Sequence, residues 1–310
     1  MGVSIMASTD SVLNTDNCIL CPRNCGSNRD NGDKGFCGES STIRIARAAL
    51  HFWEEPVISG EKGSGAVFFT GCNLKCIFCQ NASIAASEVG KEVSIEALAE
   101  IFLKLQGEGA NNINLVTASH YVPQVAESIQ IARRLGLTIP IVYNTSSYEK
   151  PETLRMLDGL VDIYLPDLKY MDAKLAKAYS KAEDYPEIAK AAIDEMYRQA
   201  GKPVFDEETG LMRKGVIVRH LVMPGAVGNA KTVINYLYET YGDAIFISLM
   251  NQYTPMREFT EYPELNRKVT KREYEKVIQY ALDLGIENAF IQEGKTAQES
   301  FIPAFDLTGV

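Results

Sequence analysis

Short apolar runs alternate with stretches of helical periodicity from Gly65 onward. The runs are rich in β-branched and aromatic residues, which is typical of strands buried on both faces. The pattern predicts six such strands and a weaker seventh. They are Ala66–Thr70, Asn112–Thr117, Ile139–Tyr143, Asp162–Leu165, Val216–Val222, Ala244–Met250 and, as the weaker one, Ala289–Gln292.

Helical periods fill the gaps between these strands. The first predicted helix has Ser94 as its N-cap and stops at Gly107. The other predicted helices are Val122–Leu135, Glu152–Leu157, Thr232–Tyr241 and Lys271–Leu284, and the longer stretch Ala173–Ala200 precedes an apparent hairpin in PVFDEETGLMRKG. Repeated strand–helix alternation predicts an α/β fold with a parallel sheet and helices outside it. Periodicity alone fits a partial or full β/α barrel and an open doubly wound sheet equally.

Composition narrows the class of protein. With 310 residues, 46% of them hydrophobic, the chain is long enough for a large packed core. Its 40 acidic residues outnumber 31 basic ones, giving a net charge of −9, so we expect no nucleic-acid partner. It has no apolar run of about 18 residues and no basic-plus-apolar start, so we expect neither a membrane span nor a secretory signal, and a cytoplasmic location.

Cysteine is the most informative residue type. All seven cysteines lie in the first quarter of the chain, in two tight clusters of four and three. A disulfide framework is typical of short secreted chains, so this clustering instead indicates metal sites in a reducing compartment.

The three-cysteine cluster lies in TGCNLKCIFCQN, directly after the first predicted strand, where ligands bind in α/β folds. Cys72, Cys76 and Cys79 have the spacing C-x3-C-x2-C. A [4Fe–4S] cluster normally takes four thiolates, so three leave one iron open for a substrate or cofactor. A structural zinc site takes a fourth Cys or His ligand close in sequence. No cysteine follows Cys79 and the next histidine is His120, so the spacing does not favour zinc.

This loop resembles the C-x3-C-x-aromatic-C signature of radical SAM proteins, with Phe78 in the aromatic position. Over roughly Gly65 to Tyr253 the chain most resembles the pyruvate formate-lyase activating-enzyme-like branch. The resemblance implies a partial (β/α)6 TIM-like barrel of parallel strands, with S-adenosylmethionine (SAM) bound across its C-terminal face. It also implies a [4Fe–4S] cluster that cleaves SAM reductively to a 5′-deoxyadenosyl radical, which then abstracts hydrogen.

The resemblance assigns cofactor contacts to the ends of the later strands. TASHY stands where activating enzymes carry a Gly-Gly-Glu segment for the SAM amino group. YNTSSYE supplies polar residues for the SAM ribose or carboxylate, LPDLKYMD resembles an Asp-Leu-Lys segment, and VIVRHLVMPG resembles an I-R-x-x-V-x-P-G segment. The residues implicated beside Phe78 are Ser119, His120, Asn144, Ser146, Asp167, Lys169 and Arg219. A helix cap or turn is the alternative for Asn144 and Ser146, and a structural ion pair is the alternative for Asp167 and Lys169.

The upstream cysteines Cys18, Cys21, Cys25 and Cys37 are separated by turn residues. Four thiolates suit a closed tetrahedral zinc site or a second iron–sulfur cluster, and the spacing does not choose between them. We expect residues 1–64 to hold this small four-cysteine metal-binding module and residues 65–310 to form the barrel with a C-terminal extension. Phe52 and Trp53, near the boundary, are predicted to lie in the core.

The sequence thus predicts a radical SAM enzyme, which by resemblance acts on a glycyl-radical enzyme. A different peptide or small-molecule substrate is the first alternative. A two-cluster ferredoxin-like electron carrier without SAM chemistry is the second. SAM reduction requires a low-potential electron donor such as flavodoxin or ferredoxin as a partner.

Overall fold

A computed structural model describes residues 17–292 and 302–310. Within them the strands are β1 Ile43–His51, β2 Ser64–Phe69, β3 Lys91–Val93, β4 Ile113–Val116, β5 Ile141–Thr145, β6 Ile163–Pro166, β7 Val204–Phe205, β8 Met212–Leu221, β9 Phe246–Met250 and β10 Ala289–Ile291. The helices are α1 Pro56–Ser59, α2 Ala82–Ala85, α3 Ile95–Gly107, α4 Val122–Arg134, α5 Pro151–Leu154, α6 Ala173–Ser180, α7 Tyr185–Ala200, α8 Val227–Tyr241 and α9 Lys271–Asp283. None of these helices is long and apolar enough to cross a membrane.

The strands form one sheet in the order β10-β9-β8-β6-β5-β4-β2-β1-β3, with β7 paired to β8. From β2 to β10 every neighbouring pair on this path is parallel. Residues from β2, β5, β8 and β10 line a single cavity, so the sheet curves around an interior. Because no pairing joins β10 to β2 within the described residues, the barrel is partial. This curvature selects the partial TIM-like barrel over the flat doubly wound sheet.

Apolar side chains of the outer helices pack on the sheet, as the periodicity predicts. Helix α3 is capped by Ser94, whose side chain accepts a hydrogen bond from the Ala97 N–H, and its buried face includes Leu98 and Phe102. Such a cap satisfies one of the free N–H groups of the first turn. The interiors of β4 and β5 are fully buried, which explains why their sequences do not alternate between apolar and polar residues.

The N-terminal strand β1 extends the sheet on one side. It pairs antiparallel with both β2 and β3, so the chain leaves β1 at the end of the barrel where the parallel strands begin. Residues 52–55 then enter the interior from that end. Phe52 and Trp53 are 50% and 57% exposed, so the prediction that they lie in the core is wrong. Their position at the mouth of the barrel, rather than beneath a helix, accounts for the exposure.

Candidate active site

The cysteine loop follows β2 at the C-terminal edge of the sheet. Its shape requires Gly71, whose φ is +82°. A Cβ at that position would stand 2.6 Å from the Glu39 side chain and 3.0 Å from the carbonyl oxygen of Cys37. The loop is therefore pressed against the N-terminal segment directly before its first cysteine.

The thiols of Cys72, Cys76 and Cys79 all face the same cavity. The sulfur of Cys72 accepts hydrogen bonds from the backbone N–H groups of Leu74 and Lys75, and that of Cys76 accepts one from the Ser180 hydroxyl at 3.1 Å. Burial raises the pKa of the Cys76 thiol and raises that of Cys79 to about 12. The protein alone therefore keeps these two groups protonated at neutral pH.

The cavity fills the interior of the barrel and has a volume of about 920 Å³. This is at the upper end of the range for small-molecule sites. The cysteine loop lines it at the C-terminal edge of the strands, and residues 51–56 line it at the opposite end. Phe78 is buried beside it, with edge-on contacts to Tyr179 and Tyr253.

Arg219 organises a polar network inside the cavity. Its Nε donates to Asp167 at 2.9 Å, its Nη1 to Glu54 at 3.2 Å and its Nη2 to the Asn144 side-chain oxygen at 2.6 Å. Lys169 pairs with the other oxygen of Asp167 at 2.6 Å. These two cations hold the pKa of Asp167 below its usual value even though its burial acts to raise it. The buried Asp167 is therefore ionised at neutral pH.

Six of the predicted cofactor residues meet at this cavity. They are Phe78, Asn144, Ser146, Asp167, Lys169 and Arg219. The Ser146 hydroxyl has no hydrogen-bond partner among the described residues and is thus free to take one from a ligand. Asn144 and Arg219, in contrast, already bind each other.

Ser119 and His120 are not among the described residues that line the cavity. The His120 ring is buried and hydrogen-bonds the Thr70 carbonyl at 2.6 Å, while the His120 carbonyl accepts from Arg29 at 2.7 Å. Burial lowers the pKa of His120 to about 3, so the ring is neutral. Ser119 is buried near Glu149 instead. In place of these two residues, Thr117 at the end of β4 lines the cavity, with a left-handed φ of 62°.

Sequence reasoning missed the carboxylates of Glu54 and Glu55. Glu54 accepts from the Asn114 side chain at 2.9 Å as well as from Arg219. Burial raises the pKa of both glutamates against the lowering effect of Arg219. The sequence does contain a signal for them, because two adjacent acidic residues stand between an aromatic pair and Pro56. Such a segment places charge beside apolar groups, where a charge needs a partner.

The N-terminal cysteine segment docks beside the cysteine loop. The Cys72 N–H donates to the Cys37 carbonyl at 3.1 Å, so the two cysteine clusters are joined through the backbone. Arg23 donates to the carbonyls of Asn73 and Ser180 at 2.8 and 3.0 Å. This segment therefore fixes the loop from outside the barrel.

Of the four N-terminal cysteines, Cys25 and Cys37 lie beside Gly35, and electrostatic interactions link Cys18 and Cys21 to Cys37. A Cβ at Gly35 would stand 3.1 Å from the sulfur of Cys25 and 3.5 Å from that of Cys37. Cys18, Cys21 and Cys37 are buried and Cys25 is exposed. Burial raises the pKa of Cys21 to about 11.

In residues 17–292 and 302–310, no three His, Cys, Asp or Glu side chains are grouped so that they could hold one metal ion as they stand. A four-iron cluster imposes a different requirement, because each thiolate binds its own iron. Three thiols on one loop that face one cavity satisfy that requirement for three irons. The donor set at Cys72, Cys76 and Cys79 thus fits a cluster with one iron left to a non-protein ligand.

Comparison with known proteins identifies the family. The Radical SAM superfamily model matches residues 66–225, which are 160 of the 310 residues. An uncharacterized protein of Methanocaldococcus jannaschii is 30% identical over 280 residues, covering 86% of this chain and 76% of that one.

Solved structures show more distant likenesses, each at 14% identity. A domain of pyruvate-formate lyase-activating enzyme from Bacteroides vulgatus has a TM-score of 0.39 and covers 56% of this chain and 92% of that one. SuiB of Streptococcus suis, bound to its precursor peptide SuiA, has a TM-score of 0.48 and covers 73% of this chain and 47% of that one. SuiB bound to SAM has a TM-score of 0.46, with coverages of 73% and 49%. The chain thus spans about half the length of SuiB. On the match across residues 66–225 and the M. jannaschii relative, the chain belongs to the radical SAM superfamily.

Proposed function

We propose that this protein cleaves SAM reductively and abstracts a hydrogen atom from a substrate held in the barrel. The observation that carries the proposal is the three-cysteine loop on a barrel cavity of about 920 Å³. A closed, fully ligated cluster relays electrons, whereas one with an open iron binds a ligand. This argues against the ferredoxin-like carrier.

Cys72, Cys76 and Cys79 would hold the cluster. When bound, the cluster and SAM together supply one-electron cleavage of the sulfonium and a carbon-centred oxidant. The N–H groups of Leu74 and Lys75 donate to the sulfur of Cys72, and the Ser180 hydroxyl donates to that of Cys76 and favours its thiolate form.

The polar residues at the strand ends would hold SAM. Asn144 and Ser146 offer an amide and a hydroxyl, and Lys169 offers a cation that acts electrostatically on Cys76. The three nitrogens of the Arg219 guanidinium already donate to Asp167, Glu54 and Asn144. We therefore assign Arg219 the role of positioning these three side chains.

The test is anaerobic incubation of reduced, iron-reconstituted protein with SAM. We expect 5′-deoxyadenosine from the wild type and at least a hundredfold less from Cys76→Ala, because a cluster that lacks one thiolate loses its site. Glu61→Gln, an exposed change outside the cavity, serves as the control and should retain the wild-type rate. Equal product from Cys76→Ala and the wild type would contradict the proposal.

A second candidate is activation of a glycyl-radical enzyme, with a glycine of that partner as the hydrogen donor. The resemblance of LPDLKYMD and VIVRHLVMPG to activating-enzyme segments favours it. It predicts that SAM cleavage is stoichiometric with a glycyl-radical electron paramagnetic resonance signal on a partner protein. Cleavage coupled to modification of a small molecule would exclude it.

We also propose that Cys18, Cys21, Cys25 and Cys37 hold a second centre. Support comes from the positions of Cys25 and Cys37 beside Gly35, from the electrostatic interactions that link Cys18 and Cys21 to Cys37, and from the backbone hydrogen bond between Cys72 and Cys37. An iron–sulfur cluster there would pass electrons from a flavodoxin or ferredoxin to the first cluster, whereas zinc would be structural and would require the sulfurs to move closer together. Metal analysis decides: about eight irons per chain indicate two clusters, and about four irons with one zinc indicate the structural site.

A further inference from the structure

Glu55 is a buried carboxylate that the proposed SAM chemistry does not use. Its residue is 8% exposed, it lines the barrel cavity, and its Oε2 has no hydrogen-bond partner among the described residues. The Ser248 hydroxyl stabilises the carboxylate, and Arg219 acts on it over a longer range. An unpaired buried carboxylate oxygen is costly and native structures rarely retain one without use.

The ion pairs that the cavity's charged side chains form within the described part of the chain do not include Glu55. Among the described residues that line the cavity, the carboxylates of Glu54, Glu55 and Asp167 face only the cations of Lys169 and Arg219. Lys169 pairs with Asp167, and Arg219 pairs with Asp167 and Glu54. Glu55 is the carboxylate that these ion pairs leave out; burial raises its pKa, and a cation bound beside it would favour its ionised form.

The surroundings of Glu55 also limit the shape of a ligand. Apolar side chains line much of the cavity, among them Leu221, Met250 and Phe290. Residues 51–56 line the cavity on the side of Glu55, opposite the cysteine loop, so a ligand that reaches Glu55 lies between those residues and the loop.

We propose that Glu55 binds the protonated amino group of the substrate, and that the substrate is an alkylammonium compound whose apolar part lies against the barrel wall. This assignment rests on the proposed function, because it treats the cavity as the place where hydrogen abstraction occurs. Ammonium supplies the donors and the positive charge that Glu55 lacks, and charge-assisted hydrogen bonds of this kind are about twice as strong as neutral ones.

The experiment measures binding rather than turnover. Hexylammonium and its neutral counterpart hexanol are titrated calorimetrically into anaerobic, cluster-loaded, oxidised protein that is saturated with SAM. Trp53, the one tryptophan of the chain, lines the cavity, so its fluorescence reports whether the bound molecule is inside the barrel. The wild type should bind hexylammonium about tenfold more tightly than hexanol, as expected for a hydrogen bond to a charged group.

Substitutions at the carboxylate test the assignment. Glu55→Gln should reduce the preference for hexylammonium to about twofold or less, and Glu55→Asp should restore part of it. Glu61→Gln is the matched control, because it removes an exposed carboxylate and should keep the full preference. Equal binding of hexylammonium and hexanol to the wild type, a comparison that needs no variant, would overturn the proposal, and so would an undiminished preference in Glu55→Gln.

Further binding measurements distinguish a peptide amine, a small-molecule amine and the amino group of SAM. A tripeptide with blocked ends and a central lysine represents an amine on a peptide side chain, and hexylammonium represents a small-molecule amine. The compound that binds more tightly identifies which of the two classes the substrate belongs to. If hexylammonium binds only without SAM, Glu55 binds the amino group of SAM and the substrate assignment is wrong. If the wild type shows the ammonium preference but never forms 5′-deoxyadenosine, the proposed function fails and the amine site stands.

Discussion

One side chain, that of Arg219, connects most of the charged groups in the cavity. Its side chain is 13% exposed, and its guanidinium bridges Asp167, Glu54 and Asn144, which come from three separate parts of the chain. Each carboxylate is itself largely buried, so its charge depends on the arginine for compensation. The planar fork of arginine, with donors in fixed directions, is what lets one residue serve all three partners.

Replacing Arg219 by methionine should therefore destabilise the fold by about 3–5 kcal/mol, the usual cost of leaving a buried charge without its partner. The free energy of unfolding in urea measures this. Arg213→Met is the matched control, because Arg213 pairs with Asp206 on the surface and should lose no more than about 1 kcal/mol. Similar losses in both variants would mean that the network is not a buried one.

His120 predicts a dependence of stability on pH. Its pKa is about 3 in the fold, against an ordinary value of 6.5, because burial disfavours the charged ring. Between these values the unfolded chain binds one more proton than the folded chain, so stability is complete above pH 6.5 and is lost as pH falls towards 3. The loss attributable to His120 approaches ~1.4 kcal/mol per pH unit.

The check is urea unfolding of the wild type and of His120→Gln at several values between pH 7 and pH 4. The free energy of unfolding should fall less steeply with decreasing pH in the variant. Parallel curves for the two proteins would show that the ring does not remain neutral in the folded state.

At the scale of elements, the sequence pattern predicts what depends on local periodicity. All seven predicted strands are present, and the hairpin forms as β7 and the start of β8. Ala173–Ala200 forms two helices rather than one continuous element, with a left-handed turn at Lys181 ending the first. Strand β3 was not predicted, since three mostly exposed residues carry no hydrophobic signal. The domain boundary at residue 64 stays a prediction.

The site was less predictable than the fold, and particular residues show why. The cysteines follow from the spacing of their motif and its position after a strand, and Asp167, Lys169 and Arg219 follow from the resemblance of LPDLKYMD and VIVRHLVMPG to activating-enzyme segments. Glu54 and Glu55 reach the cavity only because β1 pairs antiparallel with β2 and delivers the following residues into the barrel. That long-range pairing leaves no mark in the local pattern.

The contact between the N-terminal segment and the cysteine loop gives a prediction at this scale. Gly71→Ala should cost at least about 3 kcal/mol, because a Cβ would add a clash with Glu39 and Cys37 to the ordinary strain of about 1–2 kcal/mol for a left-handed residue. Gly159→Ala is the matched control: its φ is +76°, but a Cβ there meets nothing within 4 Å. Equal thermal shifts for the two variants would contradict the packing of the segment against the loop.

For the whole molecule, the curved sheet brings the functional groups together. The cysteine loop lies at one end of the cavity and the pair of glutamates reaches in from the other, with Arg219 and Lys169 between them. The N-terminal segment holds the cysteine loop from outside. A flat sheet with the same strands would place these groups along one edge, where they could not enclose a ligand.

The most direct test of the account is whether SAM binds iron in the cluster that we propose for Cys72, Cys76 and Cys79. Electron–nuclear double resonance on the reduced protein, with SAM labelled with nitrogen-15 at its amino group, measures the coupling between that nitrogen and the cluster. The account predicts a coupling in the wild type and its loss in Cys76→Ala. A reduced cluster that shows no coupling to labelled SAM would mean that all its irons are held by the protein, and the central claim would be wrong.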